Sequence, residues 1–414
     1  MNKLHLATAT VLVGIASSGA YAADTCGMGN GKAATGEPIQ LGAIVGKTGP
    51  EDFSSASRAA EAYFKCVNAN GGINGRPVVY TVQDDNWNPE VASQAANKLV
   101  KDTKVVGMVG SSSFVECGAN NKTYEQEGVA VIAGVGVTRT CFYGKNYAPF
   151  NQGPRLSTVA AAQYIVETFK LKKITCVAPG IPDFGDWVCN GVEAYGKANG
   201  VEVKSVIFDP GKLDGNAIAL QVSASKPDGV VLGMPRGMML PILTGAEQQD
   251  LGKTIKWSLP TSAYNSQMPK AAGKYWDGKL YVHMELEPLE KDAPDSKNWK
   301  AIMTKYGDKK DPIDSFSQAG HLAARAATSA LLGIKGTIDR KSTFDAFKNI
   351  VKFKTDLTCA PWYFGPGERH QGNHAGRIAQ ITNGNFKTLT ECIPSKDADL
   401  ADITAIEAKG GMVN

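Results

Sequence analysis

Apolar and polar positions alternate along the chain with two periods that take turns. Ile39 to Val45 is a short, nearly continuous apolar run, which predicts a buried strand. Turn residues from Gly46 to Pro50 follow, and from Ser54 to Asn68 the apolar positions recur at helical spacing until Gly71-Gly72 ends them. The same sequence of strand, turn and helix returns with Val78 to Gln83, a helix from Asn88-Pro89 to about Lys101, and a strand at Val105 to Val109. Ser111 to Ser113 then precede another helix, and Val129 to Ala133 supplies a fourth strand before the turn-rich stretch 134–144.

A second series begins after Pro149. Helices are predicted over 158–169, 186–196, 216–224 and 238–249, with strands at 174–178, 201–208, 229–232, 255–259 and 280–283. Helices follow at 298–306, 316–332 and 342–349. In the middle one, Ala319, Ala323, Ala326, Ala327, Ala330 and Leu331 form an apolar band suited to close packing. Ile378 to Ile381, Asn383-Gly384 and Phe386 to Thr390 read as a hairpin. Strands that alternate with helices over this length predict an α/β protein with parallel sheets covered on both faces.

Composition narrows the classes. The 414 residues allow two domains of ordinary size. With 43% hydrophobic and 20% charged residues the chain is neither disordered nor collagen-like. Its 44 basic side chains nearly balance 40 acidic ones, and no long basic block or aromatic-basic interleaving occurs, so no nucleic-acid partner is expected. Residues 1–22 carry Lys3, an apolar stretch from Leu4 to Ile15 and the small-residue pattern Ala20-Tyr21-Ala22, which predicts a cleaved signal peptide and a periplasmic destination.

Eight cysteines in an exported chain, with no CxxC, favour disulfides over a zinc or redox site. Cys176 with Cys189 and Cys359 with Cys392 are near in sequence and are candidate pairs; a pairing of Cys66 or Cys26 with the region of Cys117 and Cys141 is also left open. Among the five histidines, only His370 and His374 are close, and Gly372 between them argues against a helical metal pair. None of HExxH, GxSxG, the P-loop pattern or GxGxxG occurs in a convincing setting, so no enzyme activity, cofactor or metal is expected.

Several stretches, in order, resemble the branched-chain-amino-acid-type, or Leu/Ile/Val-binding-protein-like, periplasmic solute-binding proteins. They are IQLGAIVGKTGP (39–50), ANGGINGRP (69–77), QDDNWNP (83–89), VGMVGSSS (106–113), EQEGVAVIAG (125–134) and FGPGERHQGNHAG (364–376). The resemblance spans about 37–386. It implies a periplasmic-binding-protein-like type I fold of two Rossmann-like lobes joined by three crossover segments. It also implies a small-molecule solute in the cleft and delivery to a membrane ABC transporter permease. By the same analogy lobe one comprises 37–150 and 266–345, lobe two 151–265 and 346–414, and the protein is taken as a monomer.

The resemblance also selects site residues. Ser111, Ser112 and Ser113 lie in a strand-to-helix turn that the family directs into the cleft. Val135, Gly136 and Val137 stand where amino-acid binders resemble P-A-A-T; Val137 has no hydroxyl, and Thr138 replaces it only if the register shifts by one. The loop after 229–232 lacks the family's acid and carries Arg236, suited to a two-toothed bond with a carboxylate, beside methionines. These two departures favour an organic acid, such as an aromatic or medium-chain one, over leucine or valine, with branched-chain or other amino acids as the alternative. Phe184 is placed to cover the ligand and Tyr264 to line the cleft or brace the hinge. Asp84 and Asp85 resemble a family acidic pair and read mainly as lobe structure or interlobe hydrogen bonding; Arg139 and Arg155 are weaker anion-binding candidates, with a surface or hinge salt bridge as the alternative. A ligand sensor docking on a membrane receptor is the other class kept open, ahead of an exported hydrolase.

Overall fold

The computed structural model describes residues 26–365 and 367–410. The expected signal peptide lies outside the described residues.

The first series folds as β1 (Ile39–Val45), α1 (Ser55–Ala69), β2 (Val78–Asp84), α2 (Pro89–Asn97), β3 (Gly107–Val109), α3 (Glu116–Glu127), β4 (Val131–Ala133), α4 (Arg139–Phe142) and β5 (Tyr147–Pro149). Its strands make one parallel sheet in the order β2-β1-β3-β4-β5. The second series is α5 (Gly153–Phe169), β6 (Lys173–Pro179), α6 (Gly185–Asn199), β7 (Glu202–Phe208), α7 (Gly215–Ala224), β8 (Gly229–Leu232), α8 (Arg236–Gln248), β9 (Lys256–Leu259), α9 (Met268–Ala272) and β10 (Leu280–Met284). Its parallel strands run β7-β6-β8-β9-β10, which repeats the order of the first sheet. After α10 (Pro294–Tyr306), α11 (Ser315–Leu332) and α12 (Arg340–Lys348), the second sheet is completed by antiparallel β11 (Ala375–Thr382), β12 (Asn385–Thr388) and β13 (Ile393–Pro394); α13 (Ala401–Gly410) closes the chain.

In each sheet the order of the strands reverses at the first strand, between β1 and β3 and again between β6 and β8. A crevice opens at such a point, beyond the carboxyl ends of the strands. The loops that leave these ends face one another and build the site described below.

Local chemistry fixes the framework. Asn88 caps α2, accepting from the backbone of Glu90 and Val91 at 2.8 and 3.2 Å, with Pro89 in the first turn. The alanine band of α11 packs on α1, where a Cβ placed on Gly320 would lie 1.8 Å from the carbonyl oxygen of Ala56. All eight cysteines pair: Cys26–Cys66, Cys117–Cys141, Cys176–Cys189 and Cys359–Cys392. The two short-range pairings are as expected, whereas Cys26 and Cys66 bond to each other and leave Cys117 to Cys141.

The chain passes between the sheets near 149–153, 284–290 and 365–375. Segment 266–345, expected whole in lobe one, is therefore divided: β10 is hydrogen-bonded into the second sheet, and α10 and α11 pack on α1. Residues 346–365, expected in lobe two, stay with the first unit, because Phe347, Trp362 and Phe364 are buried in the same core as α1 and α11. β5 has no counterpart in the expected elements; three residues ending in proline carry too short an apolar run to stand out.

Candidate functional site

The turn after β2 sets up one wall of the crevice. Asn86 and Trp87 both adopt left-handed backbone, at φ 52° and 57°. The two carboxylates that precede it hold this turn: Asp84 accepts from the amides of Lys47, Thr48 and Asn86, and Asp85 from that of Trp87. The indole is thereby laid on Gly49, where a Cβ would come within 2.5 Å of it, and its Nε1 donates to the carbonyl of Glu51 at 3.1 Å. Glu51, Asp52 and Phe53 are consequently fixed at the mouth of the crevice. Asp84 and Asp85 are lobe structure, as expected.

Two adjoining chambers lie between the units and share Thr261, Ser262 and Phe316. The inner one, about 40 Å³, is walled chiefly by Phe53, Val135, Val137, Phe184, Met234 and Phe316. Gly136 and Asn151 also line it, the Asn151 amide pairing with both backbone groups of Gly136 at 2.8 and 2.9 Å. Phe184, 2% exposed, reaches across to Phe114 of the first unit with ring centroids 5.1 Å apart. The outer chamber, about 220 Å³, carries the charge: Glu51, Asp52, Asp314 and Arg236, with Tyr264 and Gln267.

Of the expected residues, Val135, Gly136, Val137 and Phe184 therefore meet in the inner chamber, and Arg236 and Tyr264 in the outer. The three serines line neither. Ser111 Oγ accepts from the amide of Ile44 at 3.2 Å and lies 3.1 Å from Glu116, and Ser113 caps α3 through the amides of Val115 and Glu116, both at 3.0 Å, while donating to Asp85. The hydroxyls of both are engaged within the fold rather than brought to a chamber, as the reading of the cluster had expected. Ser112, fully buried and bridged to Val45 and Val135, keeps a hydroxyl without a hydrogen-bond partner among the described residues. Thr138 starts α4, with Oγ1 3.6 Å from Cys141 Sγ, and is not brought to either chamber. Tyr264 is held by its hydroxyl, which accepts from the amide of Leu289 at 3.0 Å and donates to Glu290 at 3.2 Å.

Arg236 does not offer a free fork. Its Nη1 donates to Gln267 at 3.0 Å, and its Nε faces Glu51 Oε1 of the first unit at 3.7 Å. The Glu51 carboxylate also faces the amide of Gly237, at the start of α8, where the helix dipole favours a negative group. Burial nonetheless outweighs these contacts and raises its pKa. Asp314 caps α11, accepting from the amide of Ser317 at 2.7 Å, and burial raises its pKa as well. Asp52 is answered by Arg58 at 3.0 Å.

Glu51, Phe53, Thr261, Asp314 and Phe316 escaped the sequence reading. The first two stand in the turn after the first strand, at the point where the topology opens a crevice, and that position was the signal available. Asp314-Ser315 has the form of a helix start and carries no further mark of a chamber wall. Elsewhere, Arg155 is bound by both oxygens of Asp397 at 2.6 and 2.9 Å. His374 Nε2 pairs with Glu407 at 2.8 Å, whereas both nitrogens of His370 face backbone carbonyls.

The family described as "Periplasmic binding protein" matches residues 38–385. An amino acid binding protein of Pseudomonas aeruginosa is 26% identical over 287 residues, covering 64% of this chain and 71% of its own. A leucine-specific-binding protein of Salmonella typhimurium is 27% identical over 300 residues, covering 69% and 75%. In fold, a solute binding protein of an ABC transporter from Rhodopseudomonas palustris in complex with p-hydroxybenzoic acid superposes with a TM-score of 0.76 at 17% identity, over 88% of this chain and all of the other. A branched chain amino acid ABC transporter protein from Thermus thermophilus with bound valine gives 0.76 at 19%, over 87% and 98%. With the match running from the first strand into the last hairpin, the chain belongs to the periplasmic binding protein family.

Proposed function

We propose that this protein is the solute-binding component of an ABC importer and that it captures a small organic solute with a largely apolar body. The observation that carries the reading is the pair of chambers between the two units, apolar within and charged at the mouth, with walls drawn from both. A ring or branched hydrocarbon suits the side chains of Phe53, Val137, Phe184 and Phe316, and the polar head suits the outer chamber. Lobe one is the first sheet with α10 to α12, and lobe two the second sheet with α5 to α8. Solute entry would be followed by hinge closure at the three crossovers, and the closed form would present the rims of both lobes to a permease.

Two heads fit this mouth. A carboxylate, as in an aromatic acid, would exchange with Glu51 for Arg236. An ammonium, as in an amino acid, would use Glu51 as the acid that the 233–239 loop lacks.

The test is titration calorimetry on protein unfolded and refolded to strip carried-over solute, against aromatic acids, leucine-like amino acids and amines. Micromolar or tighter binding of one class, lost in Phe53→Ala and Phe184→Ala variants that stay folded, is expected. Binding that survives both substitutions would place the site elsewhere.

A further inference from the structure

The four disulfides differ in what they join. Cys26–Cys66 ties the segment before β1 to α1, and Cys117–Cys141 ties α3 to α4, both within the first unit; Cys176–Cys189 ties β6 to α6 within the second. Cys359–Cys392 joins the two units. The chain on both sides of Cys359 is anchored to the first. Thr355 Oγ1 donates to Asp295 of α10 at 2.6 Å, Leu357 lies in the core of α1 and α11, and Trp362 Nε1 donates to the carbonyl of Pro149 in β5 at 2.9 Å. The chain on both sides of Cys392 is anchored to the second: β12 precedes it, β13 follows it, and both pair with β11.

The same bond is set apart by access. Cys392 is exposed and Cys359 half-buried, whereas the other six cysteines are at most 3% exposed. Thiol–disulfide exchange requires a thiolate to reach a sulfur atom, so a dithiol attacks this bond in the folded protein and the other three only after local opening.

The bond also has a mechanical consequence. A disulfide keeps its two Cα atoms within about 7 Å of each other, and here they are 5.7 Å apart. Rotation of one unit against the other is thereby confined to axes that pass close to the bond. Hydrogen bonds between the C-terminal tail and the first unit, such as that from Tyr363 to Glu407 at 2.8 Å, break and re-form as the units move and set no such limit.

We propose that Cys359–Cys392 is a redox-sensitive tether that limits how far the two units can part. A dithiol supplies the two electrons. Its thiolate attacks the Cys392 sulfur, Cys359 leaves and takes up a proton, and the second thiol of the reductant displaces Cys392 as the reductant closes to its own disulfide. With both cysteines as thiols, the units are joined by the three crossovers alone and open more widely. The inference rests on the hinge proposed above and adds a covalent control to it.

The test uses the mature chain, refolded from denaturant without reductant so that solute is removed and the disulfides are kept. Dithiothreitol is added under native conditions, and the thiols that appear are alkylated and located by mass spectrometry. Cys359 and Cys392 are expected to be labelled at least about tenfold faster than the six buried cysteines. Labelling of all eight at one rate would overturn the redox sensitivity. X-ray scattering then compares the parent, the singly reduced parent and the Cys359→Ser/Cys392→Ser double variant, each with and without Arg236→Ala. Both ways of cutting the bond are expected to raise the radius of gyration, and to enlarge the rise caused by Arg236→Ala. The reduced parent gives this readout even if the double variant does not fold. A rise with Arg236→Ala that is the same with the bond cut or intact would overturn the tether and leave the hinge standing. Identical curves for all six samples would overturn both.

Discussion

The carboxylate of Glu51 and the guanidinium of Arg236 face each other at 3.7 Å across the cleft, one from each unit. They are 17% and 26% exposed, so the attraction is partly screened and worth about 0–1 kcal/mol. Its position across the cleft gives it more leverage than its energy suggests, because any parting of the two units would break it. Arg236→Ala is expected to leave the thermal midpoint unchanged and to raise the radius of gyration of the solute-free protein in X-ray scattering. Identical scattering curves for the two proteins would show that the pair does not hold the cleft shut.

Within the serine turn the hydroxyls of Ser111 and Ser113 are tied into the fold, and that of Ser112 has no hydrogen-bond partner among the described residues. Ser111→Ala removes the acceptor of the Ile44 amide and one of the polar neighbours of buried Glu116, a loss of about 1–3 kcal/mol. Ser112→Ala removes a hydroxyl that has no partner among the described residues, so stability should stay within about 0.5 kcal/mol. Urea unfolding of the two variants decides this; equal losses would mean that Ser112 has a role in the fold that its surroundings do not reveal.

Stability should peak near pH 6.5. Burial raises Glu116 and Glu285 to about 8 in the folded protein. As the pH climbs from about 4.5 to 8 the unfolded chain ionises these groups while the folded one keeps its protons, so their contribution is complete below 4.5 and declines up to 8. His283 and His321 are depressed to about 3 and His370 to about 4, again by burial, so their contribution is complete above 6.5 and is lost as the pH falls. The opposing slopes largely offset each other between 4.5 and 6.5. Between 6.5 and 8 the glutamates dominate, opposed near pH 8 by Lys348, which burial depresses to about 8, and the decline should be roughly 1–4 kcal/mol. Denaturant midpoints at pH 6.5 and 8 measure it, and Glu116→Gln should flatten part of the fall. A midpoint that rises over this interval would contradict the buried, protonated state of both acids.

Much of the architecture is legible in the chain because strand and helix periods differ, and because Gly71-Gly72 and Asn88-Pro89 punctuate them. What was misplaced depends on long-range packing: the pattern of β10 is that of any buried strand, and nothing in it says which sheet it joins. The site was legible where it lies in loops that end strands, as with Val135 to Val137 and Phe184. It was not legible where a residue's local role looks complete, as with the cap Asp314, or where a partner arrives from the other unit, as Glu51 does to Arg236.

The contact between α1 and α11 offers a last test, because it is set by a single missing methyl group. A Cβ on Gly320 would lie 1.8 Å from the Ala56 carbonyl oxygen and 2.5 Å from its carbon, both backbone atoms that no rotamer change can move. The two helices must separate to admit it, and their alanine band (Ala59, Ala60, Ala319 and Ala323, all buried) loses contact as they do. Overpacking of this kind costs about 1–3 kcal/mol, of which better helix propensity returns at most about 1. Gly320→Ala should therefore lower the denaturant midpoint. Because α11 also carries Asp314 as its cap and Ser315 and Phe316 in its first turn, the same shift should weaken solute binding. A variant as stable as the parent, with unchanged affinity, would show that the helices can part without disturbing the chamber.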